Sequence, residues 1–83
     1  MNFGEAIQAL KTNQMVRRVG WNGKGMHIYL EDGYSHTIKA GVFKGEKRVT
    51  EPALYLYTAQ GTHQPGWTAS QADMLAEDWE LAQ

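Results

Sequence analysis

The first apolar residues of the chain recur at Phe3, Ala6, Ile7 and Leu10, the i, i+3, i+4, i+7 spacing that gives a helix one apolar face. Asn2 and Glu5 stand three apart, as a capping residue and its reciprocal partner do, so the pattern predicts a helix from Phe3 to about Lys11. Thr12-Asn13-Gln14 ends it. Met15 to Val19 reads as a short strand, but setting Met15, Arg17 and Val19 against Val16 and Arg18 does not say which side is inside. Met26, Ile28 and Leu30 alternate with His27 and Tyr29, the period of a half-buried strand. Glu31-Asp32-Gly33 predicts a turn, and Tyr34 to Ile38 a returning hairpin partner. Lys39 to Thr50 is an exposed connection or a weak hairpin. Ala53 to Thr58, entered through Pro52, is the clearest strand pattern, with Leu54 and Leu56 toward the helix and Tyr55 and Tyr57 opposite. Gln60 to Thr68 reads as a loop. Ser70 with Asp73 repeats the capping pattern before a short helix Gln71 to Ala76, and Asp78 to Ala82 closes as a strand with Trp79 and Leu81 on one face.

These elements predict an α+β fold: a small antiparallel β-sheet packed by an N-terminal helix, with a short second helix near the C-terminus. Its 83 residues fit one domain, 1–83, of a size that leaves much apolar surface near the outside unless copies associate. With 42% hydrophobic and 11% aromatic residues the chain is globular. It has no cysteine, which removes disulfides, thiolate metal sites and thiol nucleophiles at once. A formal charge of −1 argues against long DNA or RNA as a partner, because that affinity needs a basic surface. No apolar run approaches a membrane span and no secretion signal opens the sequence, so a cytoplasmic protein is expected.

Charge and glycine matter most in Gly20-Trp21-Asn22-Gly23-Lys24-Gly25, where three glycines hold a tryptophan between Arg17-Arg18 upstream and Lys24 within. Such a loop can turn its amide N–H groups toward an anion while Trp21 offers a face to an aromatic base. A tight hairpin with its tryptophan buried for packing is the competing reading.

Arg18 to Met26, together with Gly66-Trp67-Thr68-Ala69-Ser70-Gln71-Ala72-Asp73 and onward to Trp79, resembles the phage Thoeris anti-defence 2 family, as does the opening Met1 to Ala6. That resemblance implies a small oligomeric sponge, a homotetramer built as a dimer of dimers. It implies an immune second messenger as ligand, a cyclic ADP-ribose isomer above all, with cyclic dinucleotides of a CBASS-type defence system as the alternative or additional cargo. It implies host bacterial cytoplasm, binding without cleavage, and no cofactor. Lys39 to Thr50 carries no motif of the family, which leaves the choice of messenger open.

The ligand of such a protein presents flat bases and a compact pair of phosphates. Trp21 and Trp67 are the candidate stacking residues, Arg18, Gly23 and Lys24 the candidate phosphate contacts, and Asn22, Ser70 and Asp73 candidate readers of polar edges. Each has a plainer reading: Arg18 as a solvated strand charge, Ser70 and Asp73 as a helix cap, Asn22 as a left-handed turn residue beside Gly23. Trp79 reads as core, and Tyr55 and Tyr57 as an interface between subunits. His27, His36 and His63 lack metal-ligand spacing and read as surface or interface residues. Asp73 and Glu77 could imitate a catalytic carboxylate pair, but dipole partners at a helix start are the simpler reading, and no catalytic or metal residue is expected. A protein-interaction module and a nucleotide-cleaving enzyme are the remaining alternatives.

Overall fold

The computed structural model describes residues 1–82. Helix α1, Phe3–Lys11, starts as its sequence dictates: Asn2 Oδ1 accepts from the Glu5 N–H at 2.8 Å and Glu5 Oε1 accepts from the Asn2 N–H at 2.9 Å. It ends where Asn13 takes φ of 63°, so that its N–H reaches the Leu10 carbonyl and the Gln14 N–H reaches that of Ala9, each at 3.0 Å. Two of the last turn's open carbonyls, those of Ala9 and Leu10, are thereby satisfied.

Seven strands follow the helix: β1 Val16–Arg18, β2 His27–Glu31, β3 Ser35–Thr37, β4 Lys47–Val49, β5 Ala53–Tyr57, β6 His63–Pro65 and β7 Trp79–Leu81, with helix α2, Gln71–Leu75, between the last two. Five form an antiparallel sheet in the order β6-β5-β2-β1-β7, and β3 with β4 forms a separate two-stranded arm. The fold is α+β, as expected.

The helix stripe packs on one face of this sheet. Ala6, Leu10, Val16, Ile28 and Trp79 are buried, and Phe3, Ile7, Leu54, Leu56, Trp21 and Trp67 close around them. Full burial of side chains such as Leu10, Val16 and Ile28 stabilises by roughly 1.5–3 kcal/mol apiece. Val16 settles the question that β1's alternation left open: its side faces the helix. Leu81, expected beside Trp79, is exposed at the sheet's end.

Two expectations are corrected. Tyr34 to Ile38 does not fold back on β2. Instead β2 pairs along its whole length with β5, from His27↔Tyr57 to Glu31↔Ala53, while β3 pairs with β4 in the register Ser35↔Val49. The reason lies at Gly33, where a Cβ would meet the Thr50 carbonyl oxygen at 2.2 Å. The two crossings of the arm's base are pressed together there, which sends the chain away from β2 rather than back along it. Secondly, Gln60 to Thr68 contains β6, whose Leu56↔Gln64 register puts Pro65 on a sheet edge where a missing N–H costs nothing. Lys39 to Thr50 resolves into the hairpin reading, through β4.

On the face away from the helix, His27, Tyr57 and His63 lie in one cross-strand row and Tyr29 and Tyr55 in the next. The rings tile: His27 on Tyr57 at 4.9 Å, Tyr29 on Tyr55 at 5.5 Å, and Tyr57 against His63 at 5.0 Å. Burial by these neighbours, then Glu31 and Tyr55, raises the Tyr29 phenol above its ordinary pKa. No helix among the described residues is long and apolar enough to cross a membrane.

Candidate functional site

The glycine loop between β1 and β2 is two turns in succession. The Trp21 N–H reaches the Arg18 carbonyl at 3.2 Å, and the Met26 N–H reaches that of Gly23 at 3.2 Å. Gly25, third residue of the second turn, has φ of 83°, which a type II turn demands there and a side chain would resist. Lys24 is thereby held at the exposed tip. The amides of Asn22, Gly23, Lys24 and Gly25 have no acceptor among the described residues. Asn22 itself is exposed.

From the far end of the chain a second loop arrives. The Gly66 and Trp67 amides both bond the Leu54 carbonyl at 2.9 Å, which fixes Trp67 beside the start of β5. Trp67 and Trp21 then meet at 6.3 Å between ring centroids and 62° between planes, and each packs nearly edge-on to the buried Trp79, at 6.2 and 5.5 Å. Edge-to-face contacts of this kind add roughly 0.5–1.5 kcal/mol beyond area alone. Trp21 and Trp67 are half-buried, neither sealed nor free.

Arg18 lies beneath this cluster as a bridge. Its Nε donates to Asp78 Oδ1 at 2.9 Å and its Nη1 to Asp73 Oδ1 at 3.0 Å. Asp78 Oδ2 accepts from the Gly20 N–H at 3.1 Å, so one carboxylate ties the arginine and the start of the glycine loop to the turn before β7. Ser70 and Asp73 form the expected cap: Ser70 Oγ accepts from the Asp73 N–H, and Asp73 Oδ2 from the Ser70 N–H, each at 3.0 Å. Burial pushes the Asp73 carboxyl up, but the Ser70 amide, the Arg18 guanidinium and the Ser70 hydroxyl outweigh it and the net pKa is lowered. Arg18 chiefly holds Asp78 below the ordinary range, and the two carboxylates raise Arg18 further.

Trp21, Arg18, Gly23 and Lys24 line a cleft of about 180 Å³, with Arg17, Val19, Gly25, Met26 and Glu80 completing it. Trp67, Ser70 and Asp73 do not line it; Trp67 touches Trp21, Asp73 bonds Arg18, and Ser70 bonds Asp73. Arg17 is paired with Glu80 at 2.8 Å. Lys24 is therefore the cleft's cation with no carboxylate partner among the described residues. Met26, Glu80 and Asp78 are not among the candidate site residues that the sequence offers, and Arg17 enters there only as charge beside the loop. The register Arg17↔Glu80 and Arg18↔Trp79 between β1 and β7 brings Arg17 to Glu80 and Arg18 to Asp78, and no local spacing announces a pairing across sixty residues or more.

The arrangement offers an aromatic edge, unpaired loop amides and one lysine to an anion, over a floor whose other charges are neutralised in place. The sequence profile of the Thoeris anti-defense 2-like domain matches residues 1–82. Thoeris anti-defense 2 of Bacillus phage SP01 is 38% identical over 85 residues, a match covering 98% of this chain and 93% of that protein.

Proposed function

This chain belongs to the Thoeris anti-defense 2-like family, and on that footing we propose that it is an anti-defence sponge, binding a cyclic ADP-ribose-type immune messenger and withholding it from its effector. The observation that carries this reading is the meeting of Trp21 and Trp67, from loops far apart in sequence, beside a cleft edged by free amides and Lys24. A base stacks on Trp21; the phosphates face the Gly23-Lys24-Gly25 turn. Arg18, Ser70 and Asp73 hold that surface in shape, and Asn22 at the rim can both donate to and accept from a base edge.

A cleft of about 180 Å³ falls short of the roughly 300–1,000 Å³ usual for small-molecule sites, which supports a pocket completed by a second subunit. The tiled Tyr29, Tyr55 and Tyr57 face is suited to one such contact. A homotetramer, assembled as a dimer of dimers in the host bacterial cytoplasm, is the form we propose for the working protein.

Binding without cleavage is supported by Asp73, whose lowered pKa and occupied oxygens make it a weak base. Purified protein incubated with the messenger and then heat-denatured should return it intact to solution. A changed product would establish catalysis instead, and no retention before heating would remove the sponge reading. Running the same release with cyclic dinucleotides tests the second cargo.

A further inference from the structure

The arm formed by β3 and β4 has no place in the site above, and it is the most solvent-exposed part of the described chain. Neither strand joins the five-stranded sheet. Val42 and Phe43 at the arm's tip are 93% and 60% exposed, and Val49 toward its base is 72% exposed. Ile38, Phe43 and Val49 floor a groove of about 350 Å³, and Glu46, Lys47 and Arg48 rim it. The arm holds four of the chain's eight basic residues, Lys39, Lys44, Lys47 and Arg48, and one of its nine acidic residues. The body therefore carries twice as many acidic groups as basic ones. Among the described residues all three ion pairs lie in the body and the arm's cations have no carboxylate partner.

The body presents the complementary surface on α2. Met74 and Leu75 are 49% and 72% exposed, and Glu77 follows them at the surface. An apolar knob with an acidic neighbour faces solvent there, while an apolar socket with a basic rim faces solvent on the arm. Within one chain α2 packs on α1, and β3 and β4 pack on each other.

We propose that the arm is an assembly element: its groove receives Met74 and Leu75 of a second copy of this chain, with Lys47 and Arg48 facing that copy's Glu77. The surface rests on the oligomeric form put forward above and assigns it a contact. Desolvating the apolar floor supplies the attraction, and the opposed charges set the register and make association salt-dependent. Knob and socket are different patches, so two copies exchange arms reciprocally or the contact repeats around a closed ring.

The test is the mass of the purified protein by light scattering after gel filtration, against a chain mass of 9.3 kDa. Phe43→Ser and Leu75→Ser should each lower the mass of the assembly and weaken self-association at least tenfold, with the circular dichroism spectrum unchanged because both side chains are exposed in the single chain. Lys47→Glu should weaken it likewise, and Lys47→Glu combined with Glu77→Lys in the same chain should restore it. A monomeric parent protein, a parent-like mass for either serine variant, or a double charge swap no better than Lys47→Glu alone would each overturn the proposal. Messenger retention is read separately by the heat-release assay, so a failed arm contact and a failed sponge reading give different results.

Discussion

Arg18 Nη1 lies 3.0 Å from Asp73 Oδ1, a bond that fastens β1 to the first turn of α2 across 55 positions of sequence. The same guanidinium takes Asp78 through Nε, so its planar fork serves two carboxylates at once. Arg18→Ala should lower the melting temperature by several degrees at neutral pH, because Asp73 keeps its half-buried place without this counter-charge. Arg18→Lys should recover less than half of that loss, since one ammonium cannot hold both directions. Thermal melts of the three proteins decide it.

Acid should loosen this junction first. Asp73 and Asp78 have lowered pKa values in the fold, so below the ordinary aspartate range the unfolded chain binds more protons than the folded one. Stability is then present in full above about pH 4 and declines as pH falls through the lowered values. Asp78→Asn should flatten that decline while lowering stability at pH 7. Urea midpoints measured from pH 2 to 7 give both numbers.

Trp79 supports three aromatic neighbours, Phe3, Trp21 and Trp67, and donates its Nε1–H to the Asp73 carbonyl at 2.9 Å. Trp79→Ala should cost about 3–5 kcal/mol, a large part of the ~5–15 kcal/mol typical of a domain. Denaturant curves should show the variant partly unfolded at 25 °C.

At the cleft, Trp21→Ala should weaken messenger binding by roughly 1–3 kcal/mol if a base stacks there. Lys24→Gln should leave the melt unchanged, weaken binding and reduce its dependence on salt. Titration calorimetry at two ionic strengths separates the stacking loss from the charge loss.

Gly33→Ala should disturb the arm's base, because the new methyl meets the Thr50 carbonyl rather than a yielding side chain. Amide exchange should quicken in β3 and β4 and stay slow in β2 and β5.

Those elements whose causes are local were legible in sequence. Both capping boxes sit where Asn2-Glu5 and Ser70-Asp73 place them, and the stripe Phe3, Ala6, Ile7, Leu10 faces the sheet. Alternation in β2 and β5 sorted Ile28 and Leu56 from Tyr29 and Tyr55 correctly. Pairing was less legible. Asp32-Gly33 has the composition of a hairpin turn, and only the approach of Thr50 from seventeen residues on reveals why the chain leaves β2 instead. Strand β6 escaped notice because three residues ending in proline have no period to detect, and its order comes from Tyr55, Leu56 and Tyr57 alongside. At the site, the glycine loop and the two tryptophans were visible as motifs, whereas the capture of Arg18 by Asp78 depends on the β1–β7 register.

The three indoles of Trp21, Trp67 and Trp79 are all that the chain possesses, and they sit within 6.3 Å of one another. Excitation absorbed by any one of them is shared among neighbours so close, so the ultraviolet emission of the whole protein originates from a single spot at the rim of the cleft. A nucleobase laid against Trp21 would quench all three together. The molecule thus carries its own optical reporter of occupancy, free of any attached dye.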